Sequence, residues 1–307
     1  MWLKSTENFY PFNQINLLAG GIELTQGKMR ILVVKAHPHD FTHCAGTLGI
    51  HNALGDDVTL VIATSGANTH NEKLASELLK PKDQQDSEII NAPLDEYATQ
   101  KADELHKAAA LFGIDDIRIL NGSQPFRVDQ NPDVVSQMVD IIDEIRPDIL
   151  ISQSPHLDGS SSHGLVSGYQ GNDHLHTAYA IQEAQALLNI PQPGATRKPH
   201  TIAATFYPGV YYESGDWDFT VDISDWYEQR LEAEMLFESQ GHTEPFSRKR
   251  IEISPGAVGW ISGTAYAESF VRSKIELVPK ITLSPYTLRA ASEPSIEHLK
   301  RIGGELI

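Results

Sequence analysis

The sequence predicts a Rossmann-like α/β fold, a mostly parallel sheet flanked by helices with a smaller C-terminal appended part. Three observations carry that prediction. Aliphatic runs of strand length recur at 31–34, 58–63, 117–120 and 149–151. Stretches with helical apolar spacing separate them. Four such alternations fit within about 120 residues, too short a spacing for anything but strand–helix–strand units.

Ile31 to Val34 is unbroken and β-branched or aliphatic, as a strand covered on both faces must be. Pro38 then forces an abrupt exit. Cys44 to Leu54 reads as a helix closed by Gly55, and Val58 to Ala63 as the second strand, so the crossover is right-handed. Thr64 to Gln100 is polar, with short helical pieces such as Glu72 to Leu79, and reads as a long functional loop or lid. Lys101 to Phe112 is a helix stopped by Gly113, followed by a third strand over 117–120. Asn131 is a candidate cap for a helix with Pro132 at its first position, and Val134, Val135, Met138, Ile141, Ile142 and Ile145 form its apolar face. Pro147 ends it before the fourth strand. A loop rich in Ser, Gly and His, Ser152 to Asp173, leads into a helix over His174 to Asn189. Strands are expected within 201–212 and 219–223, and an amphipathic helix over 225–239 with Ser224 as its cap. The division expected is an N-terminal arm or leader over 1–28, one main domain over 29–270, and an extension over 271–307 packed on that domain.

Composition limits what the chain can do. With 307 residues and 40% hydrophobic content it can bury a full core. One cysteine excludes an internal disulfide and fits a reducing compartment. A formal net charge of −17 opposes binding to nucleic acid or an anionic membrane. No run approaches the length of a membrane span, and the start lacks a signal-peptide pattern. A cytoplasmic protein acting on a small molecule is the expectation.

The chemistry gathers where strands give way to helices. After the first strand come His37, His39 and Asp40. After the fourth come Asp173, His174 and His176. In α/β sheets the carboxyl ends of strands face the ligand crevice. His37, Asp40 and His174 would be two imidazoles and one carboxylate, a set that suits zinc while leaving a position for water. Side chains of these types also cap helices and hold loops, so spacing alone leaves both readings open.

The motifs AHPHDF before a small-residue helix (CAGTL) and GYQGNDHLHTA opening a later helix resemble the zinc-dependent LmbE-like family, also called PIG-L or GlcNAc-phosphatidylinositol deacetylases. The resemblance extends over about residues 29–270 and includes FTVDISDWYEQRLEAEMLFESQ at 219–240. It implies a Rossmann-like sheet and one zinc per chain held by His37, Asp40 and His174. It also implies a homo-oligomer, a state common among relatives.

Departures from the family pattern bear on mechanism. The usual first motif is AHPDDE. Its base position is His39 here, and its last acid is Phe41. The histidine that the deacetylases carry three places before the last ligand is Gly171, while Asp173, which orients that histidine, is retained. An imidazole at position 39 suits proton transfer near neutral pH. Loss of an oxyanion donor commonly costs about 100- to 1000-fold, so another group must take that part. His70, His156, His163 and His176 lie in the same loop neighbourhoods. The 4-oxalomesaconate hydratase branch is similar in its non-acidic first motif, its aspartate followed by phenylalanine, and its missing histidine.

Three functions follow as expectations. The first is a zinc-dependent hydrolase, deacetylase-like, cleaving an amide of a small polar molecule such as an N-acyl sugar or amine. In it His39 or Asp173 takes the proton from water. The second is a zinc-dependent hydratase or lyase of an unsaturated di- or tricarboxylic acid. The third is a non-catalytic metal-binding relative. His70, Glu72, Arg127 and His176 are candidate substrate contacts, Arg127 as a carboxylate clamp. Each has a plainer role available: Glu72 as a helix N-terminal carboxylate, Arg127 as the ion-pair partner of Asp129 or Asp133.

Overall fold

A computed structural model describes residues 27–156, 170–191, 193–194, 197–278, 280–281 and 283–305, without the side chains of 170–172. Most of the expected N-terminal arm, and His163 with most of its loop, lie outside the described residues. The strands are β1 (Arg30–Lys35), β2 (Asp57–Ile62), β3 (Asp116–Ile119), β4 (Ile149–Ile151), β5 (Ala204–Pro208), β6 (Phe219–Asp222) and β7 (Ala267–Arg272). They form one sheet in the order β3-β2-β1-β4-β5-β7-β6. The first five are mutually parallel, and β7 runs antiparallel to both β5 and β6.

The helices are α1 (Ala45–Ala53), α2 (Glu72–Leu78), α3 (Ser87–Ile90), α4 (Leu94–Ala110), α5 (Pro132–Ile145), α6 (Gln170–Asn189), α7 (Tyr227–Met235), α8 (Glu244–Ile251), α9 (Ala257–Ser262), α10 (Pro285–Ser292) and α11 (Ser295–Ile302). Alternation along β1 divides the core in two. Ile31 and Val33 pack with Leu48, Leu60, Leu105, Phe112 and Phe237 on one face. Leu32 and Val34 pack with Val134, Met138, Ile142, Ile181 and Leu188 on the other. Successive side chains of a strand point to opposite faces, so four consecutive apolar residues are needed to feed both layers.

Because β1 has β2 on one side and β4 on the other, the chain order reverses between β1 and β4. That is the switch point at which α/β sheets place their ligands. The chain leaving β1 turns at once into a 3-10 segment, Pro38–Cys44, with Pro38 at its first position, where the missing N–H costs nothing.

The structure differs from expectation in several elements. The helix expected from Lys101 begins at Leu94, because Asp95 and Glu96 favour its first turn despite their polarity. The polar stretch 64–100 holds α2, α3 and the start of α4. Asn131 precedes Pro132 as expected but makes no cap bond. Its Oδ1 instead accepts from the Ser123 N–H at 2.8 Å, and its Nδ2 donates to the Arg127 carbonyl. Ser224 opens a short 3-10 turn ahead of α7, and its hydroxyl donates to Asp222 at 2.7 Å. β7 is a strand that its sequence, AESFVR, does not announce. It slots between β5 and β6, and the carboxylate of its Glu268 accepts from the Gly46 and Thr47 N–H groups at 3.0 and 2.8 Å. A buried anion thereby satisfies the start of α1.

Candidate metal centre

His37 and Asp40 sit on the turn after β1, and His174 in the first turns of α6. The fold closes them together at the switch point. Asp40 Oδ2 lies 3.4 Å from His37 Nδ1 and 3.2 Å from His174 Nε2. All three side chains are buried or nearly so. The turn is held by the His37 N–H, which donates to Asp40 Oδ2 at 2.9 Å, and by Gln153 Nε2, which donates to the same oxygen at 2.9 Å from the end of β4.

The arrangement fits a metal ion. His37 Nδ1 and His174 Nε2 are buried and make no hydrogen bond among the described residues. Buried polar atoms are rarely left so. Ligands about 2.0–2.1 Å from a tetrahedral zinc stand about 3.3 Å apart, close to the two separations seen. Burial alone would raise the Asp40 carboxyl, yet His174 and His37 hold it well below the usual carboxylate range. Burial would likewise lower His37, but the carboxylates of Asp173 and Asp40 on its two sides push it up to about 9.

Asp173 explains how His37 is aimed. Its Oδ2 lies 2.9 Å from His37 Nε2 and accepts from Thr69 Oγ1 at 2.9 Å, while Oδ1 accepts from the Phe126 N–H at 2.8 Å. A carboxylate that takes the Nε2 proton leaves the Nδ1 lone pair for a metal and fixes the ring. The resemblance gives Asp173 as the orienter of a histidine that is Gly171 here. The structure gives it His37 instead, while His176 three residues on in α6 meets the Val128 N–H.

His39 belongs to a different cluster. Its Nε2 lies 3.1 Å from Glu234 Oε2, and its ring stands edge-on to those of Phe237 and His242 at 5.0 and 4.7 Å. His242 Nδ1 is 3.3 Å from the same oxygen. The other carboxylate oxygen accepts from Arg230 Nη1 at 2.6 Å and faces Arg250 Nε at 3.4 Å. His39, Glu234 and His242 have ligand-type atoms close enough for an ion. Here, though, each carboxylate oxygen is already engaged and two guanidinium groups supply the positive charge, so we read it as a closed ion network. Burial and Arg250 push His39 down to about 3, so its imidazole is neutral at physiological pH.

The remaining candidates separate. The His70 ring stands edge-on to that of His37 at 4.5 Å, and its Nδ1 is 3.5 Å from Glu72 Oε1, so both border the centre. Burial lowers His70. Arg127 Nε is 3.4 Å from Asp129, the plainer of its two roles. His176 Nδ1 accepts from the Val128 N–H at 3.4 Å and His156 faces Tyr207; neither is joined to the triad by a described contact. Gly171 lies within α6.

Four residues at or beside the centre went unread. Gln153 and Thr69 are generic in sequence, although Gln153 follows β4 directly, at the other side of the switch point. Tyr211, whose ring lies 5.7 Å from that of His174, was one aromatic among several. Lys101 is 1% exposed, with its Nζ 5.0 Å above the Tyr97 ring and no hydrogen bond or ion pair among the described residues. Burial lowers it to about 8, against the pull of Glu72, Glu104 and Asp40.

A mostly parallel α/β sheet with a His-Asp-His cluster at its switch point defines the class: an α/β protein with a metal-type centre built on the ends of β1 and β4. A family model described as GlcNAc-PI de-N-acetylase matches residues 32–185, just over half of the chain, and the protein belongs to this PIG-L family. A 1D-myo-inositol 2-acetamido-2-deoxy-alpha-D-glucopyranoside deacetylase of Catenulispora acidiphila is 28% identical over 199 residues, 58% of this chain. The match spans 59% of the length of that curated relative. The hydratase GalB of Pseudomonas putida, which acts on 4-carboxy-2-hydroxymuconate, superposes with a TM-score of 0.63 at 16% identity, covering 83% of this chain and all of that one. N,N'-diacetylchitobiose deacetylase of Pyrococcus horikoshii superposes at 0.56 and 21% identity, covering 80% of this chain and 83% of that one. At such identities the two structures share the fold. No helix among the described residues is long and apolar enough to cross a membrane.

Proposed function

We propose that this protein is a zinc-dependent hydrolase that removes an acyl group from the nitrogen of a small polar molecule, an N-acyl sugar or amine. The observation that carries the reading is the pair of buried, unpartnered nitrogens, His37 Nδ1 and His174 Nε2, facing Asp40. The family match and the deacetylase relative support it. Zinc bound to these three residues supplies an activated water and a Lewis acid for the acyl oxygen.

The chain's own side chains do the rest. Asp173 fixes the tautomer and orientation of His37, and Gln153 holds Asp40. His39 keeps the base position of the motif. Tied to Glu234 and pushed down to about 3 by burial and Arg250, it is a weak base near neutral pH, and no described contact joins it to the triad. Asp173 touches the ligand His37 and is the candidate for that part on the triad's side, although three donors already meet its oxygens. With glycine at position 171, His70 on the His37 side and Tyr211 on the His174 side are the groups placed to steady developing charge or protonate the leaving amine.

A second reading, hydration of an unsaturated di- or tricarboxylic acid, is favoured by one observation. Phe41, where the motif has an acid, is fully buried against Phe112 and Phe237, so this position offers no carboxylate of the kind the deacetylase motif carries. One experiment separates the two. Zinc-loaded protein is incubated with a panel of N-acyl sugars and amines, reading free amine, and with unsaturated acids, reading loss of absorbance. The hydrolase reading expects amine release. Loss of absorbance with no amine from any N-acyl compound replaces it with the hydratase, and silence in both arms leaves a metal-binding protein without turnover.

A further inference from the structure

The geometry points to Tyr211 as a catalytic residue, the hydrogen-bond donor to the acyl oxygen at the centre, with His43 and Arg250 as the positioning residues that keep its hydrogen free for that bond. The acyl oxygen rests on the hydrolase reading above. The arrangement of the three side chains does not.

Three distant segments supply these groups. His43 lies on the turn after β1, Tyr211 ends the 3-10 turn Gly209–Tyr211 that follows β5, and Arg250 is in the last turn of α8. Arg250 Nη2 is 3.2 Å from His43 Nε2, and the Tyr211 hydroxyl is 3.3 Å from His43 Nδ1. The Tyr211 ring stands between His43 and His174, edge-on to each with 5.7 Å between centroids. All three residues are half-buried, so they remain within reach of a ligand.

Only one tautomer of His43 fits these contacts. A guanidinium donates and never accepts, so His43 Nε2 accepts and carries no hydrogen. A neutral imidazole holds one hydrogen, which therefore sits on Nδ1 and is donated to the Tyr211 oxygen. Burial and Arg250 hold His43 well below its usual range, in keeping with a neutral ring. Arg250 is itself pinned, its Nε facing Glu234 Oε1 at 3.4 Å. The ion network around Glu234 thus holds the donor that sets the tautomer of His43.

Tyr211 accepts from His43 and keeps its own hydrogen, as a phenol does at neutral pH. That hydrogen meets no acceptor among the described residues, and even Gln153 Oε1, on the side chain that holds Asp40, takes no hydrogen bond. With the opposite tautomer the phenol would spend its hydrogen on Nδ1 and present only lone pairs, which repel an oxyanion. Glycine at position 171 leaves the place of an oxyanion donor to be filled, and Tyr211 has a hydrogen to give beside His174.

The test has two arms, both on the zinc-loaded full chain. Long-range proton–nitrogen spectra of the imidazoles, with the His43 signals assigned by their loss in His43→Gln, are expected to show hydrogen on Nδ1 and none on Nε2. Arg250→Met is expected to move that hydrogen to Nε2. Hydrogen on Nε2 in the wild type, or an unmoved hydrogen in Arg250→Met, overturns the proposal. The second arm follows amine release from whichever N-acyl compound of the panel turns over fastest. Tyr211→Phe is expected to lower kcat about 100- to 1000-fold, the usual cost of one oxyanion donor, with KM and zinc content kept. His43→Leu is expected to fall nearly as far, and His43→Gln to recover most of that loss, because its amide both accepts from Arg250 and donates to Tyr211. The double variant His43→Leu/Tyr211→Phe is expected to be no slower than Tyr211→Phe, since the first acts through the second. An unchanged kcat or lost zinc in Tyr211→Phe, or additive losses in the double variant, overturns the proposal. The expected tautomer in a wild type that releases no amine overturns the hydrolase reading and the part of Tyr211 in it, whereas the opposite tautomer in a protein that does release amine overturns this inference alone.

Discussion

Two clusters, each of two imidazoles and one carboxylate, draw on the turn that follows β1. His37, Asp40 and His174 leave two buried nitrogens without a hydrogen-bond partner among the described residues. His39, Glu234 and His242 have Arg230 and Arg250 against them, and both oxygens of Glu234 are taken. The difference teaches that a ligand set is recognised less by its residue types than by what already neutralises it. A carboxylate held by two guanidinium groups has no charge left to offer a divalent ion. A carboxylate facing two imidazoles, one of them tied back by Asp173, has.

The largest expected effect comes from opening the first cluster. His174→Ala should abolish stable zinc binding and lower turnover at least 1000-fold, while thermal unfolding of the metal-free protein stays near that of the wild type. Metal analysis and calorimetry together read this out.

The second cluster should respond in the opposite way. Glu234→Gln leaves the buried Arg230 and the part-buried Arg250 without their anion, and breaking a buried pair on one side costs about 3–5 kcal/mol. Denaturant unfolding should show that loss, with zinc content unchanged.

Lys101 sharpens the contrast between holding the fold and serving the site. Its amine, pushed down to about 8 by burial, binds fewer protons folded than unfolded between about 8 and the ordinary 10.5. Stability should therefore rise with pH across that window and be lower by roughly 3 kcal/mol at neutral pH. Lys101→Met should stabilise the protein at pH 7 and flatten the alkaline rise, as urea titrations at pH 7 and 10 would show.

Asp173→Asn gives the smallest of these effects. Removing an outer carboxylate from a ligand histidine typically weakens metal binding about 10- to 100-fold. Competition with a fluorescent chelator measures it, and an unchanged affinity would separate Asp173 from the centre.

Much of this was legible in the sequence because it rests on local chemistry. The aliphatic run before Ala36, the proline after His37, and the apolar face of α5 each follow from spacing. Both halves of the triad stood where strands end. What sequence could not reveal depends on contacts between distant segments. Glu234 lies 195 residues from His39, and nothing local in YEQRLEAEM marks it as the partner of an imidazole. Asn131 looked like a helix cap because its neighbours did, but the loop at Ser123 claimed its side chain. β7 escaped because an antiparallel strand between two others needs no apolar run when Glu268 serves as an anchor.

The most direct test is the metal content of three purified proteins, the wild type, His174→Ala and His242→Ala, by plasma mass spectrometry after zinc reconstitution. The account predicts about one zinc per chain in the wild type and in His242→Ala, and none in His174→Ala. Two per chain in the wild type, or zinc lost from His242→Ala and kept in His174→Ala, would contradict it.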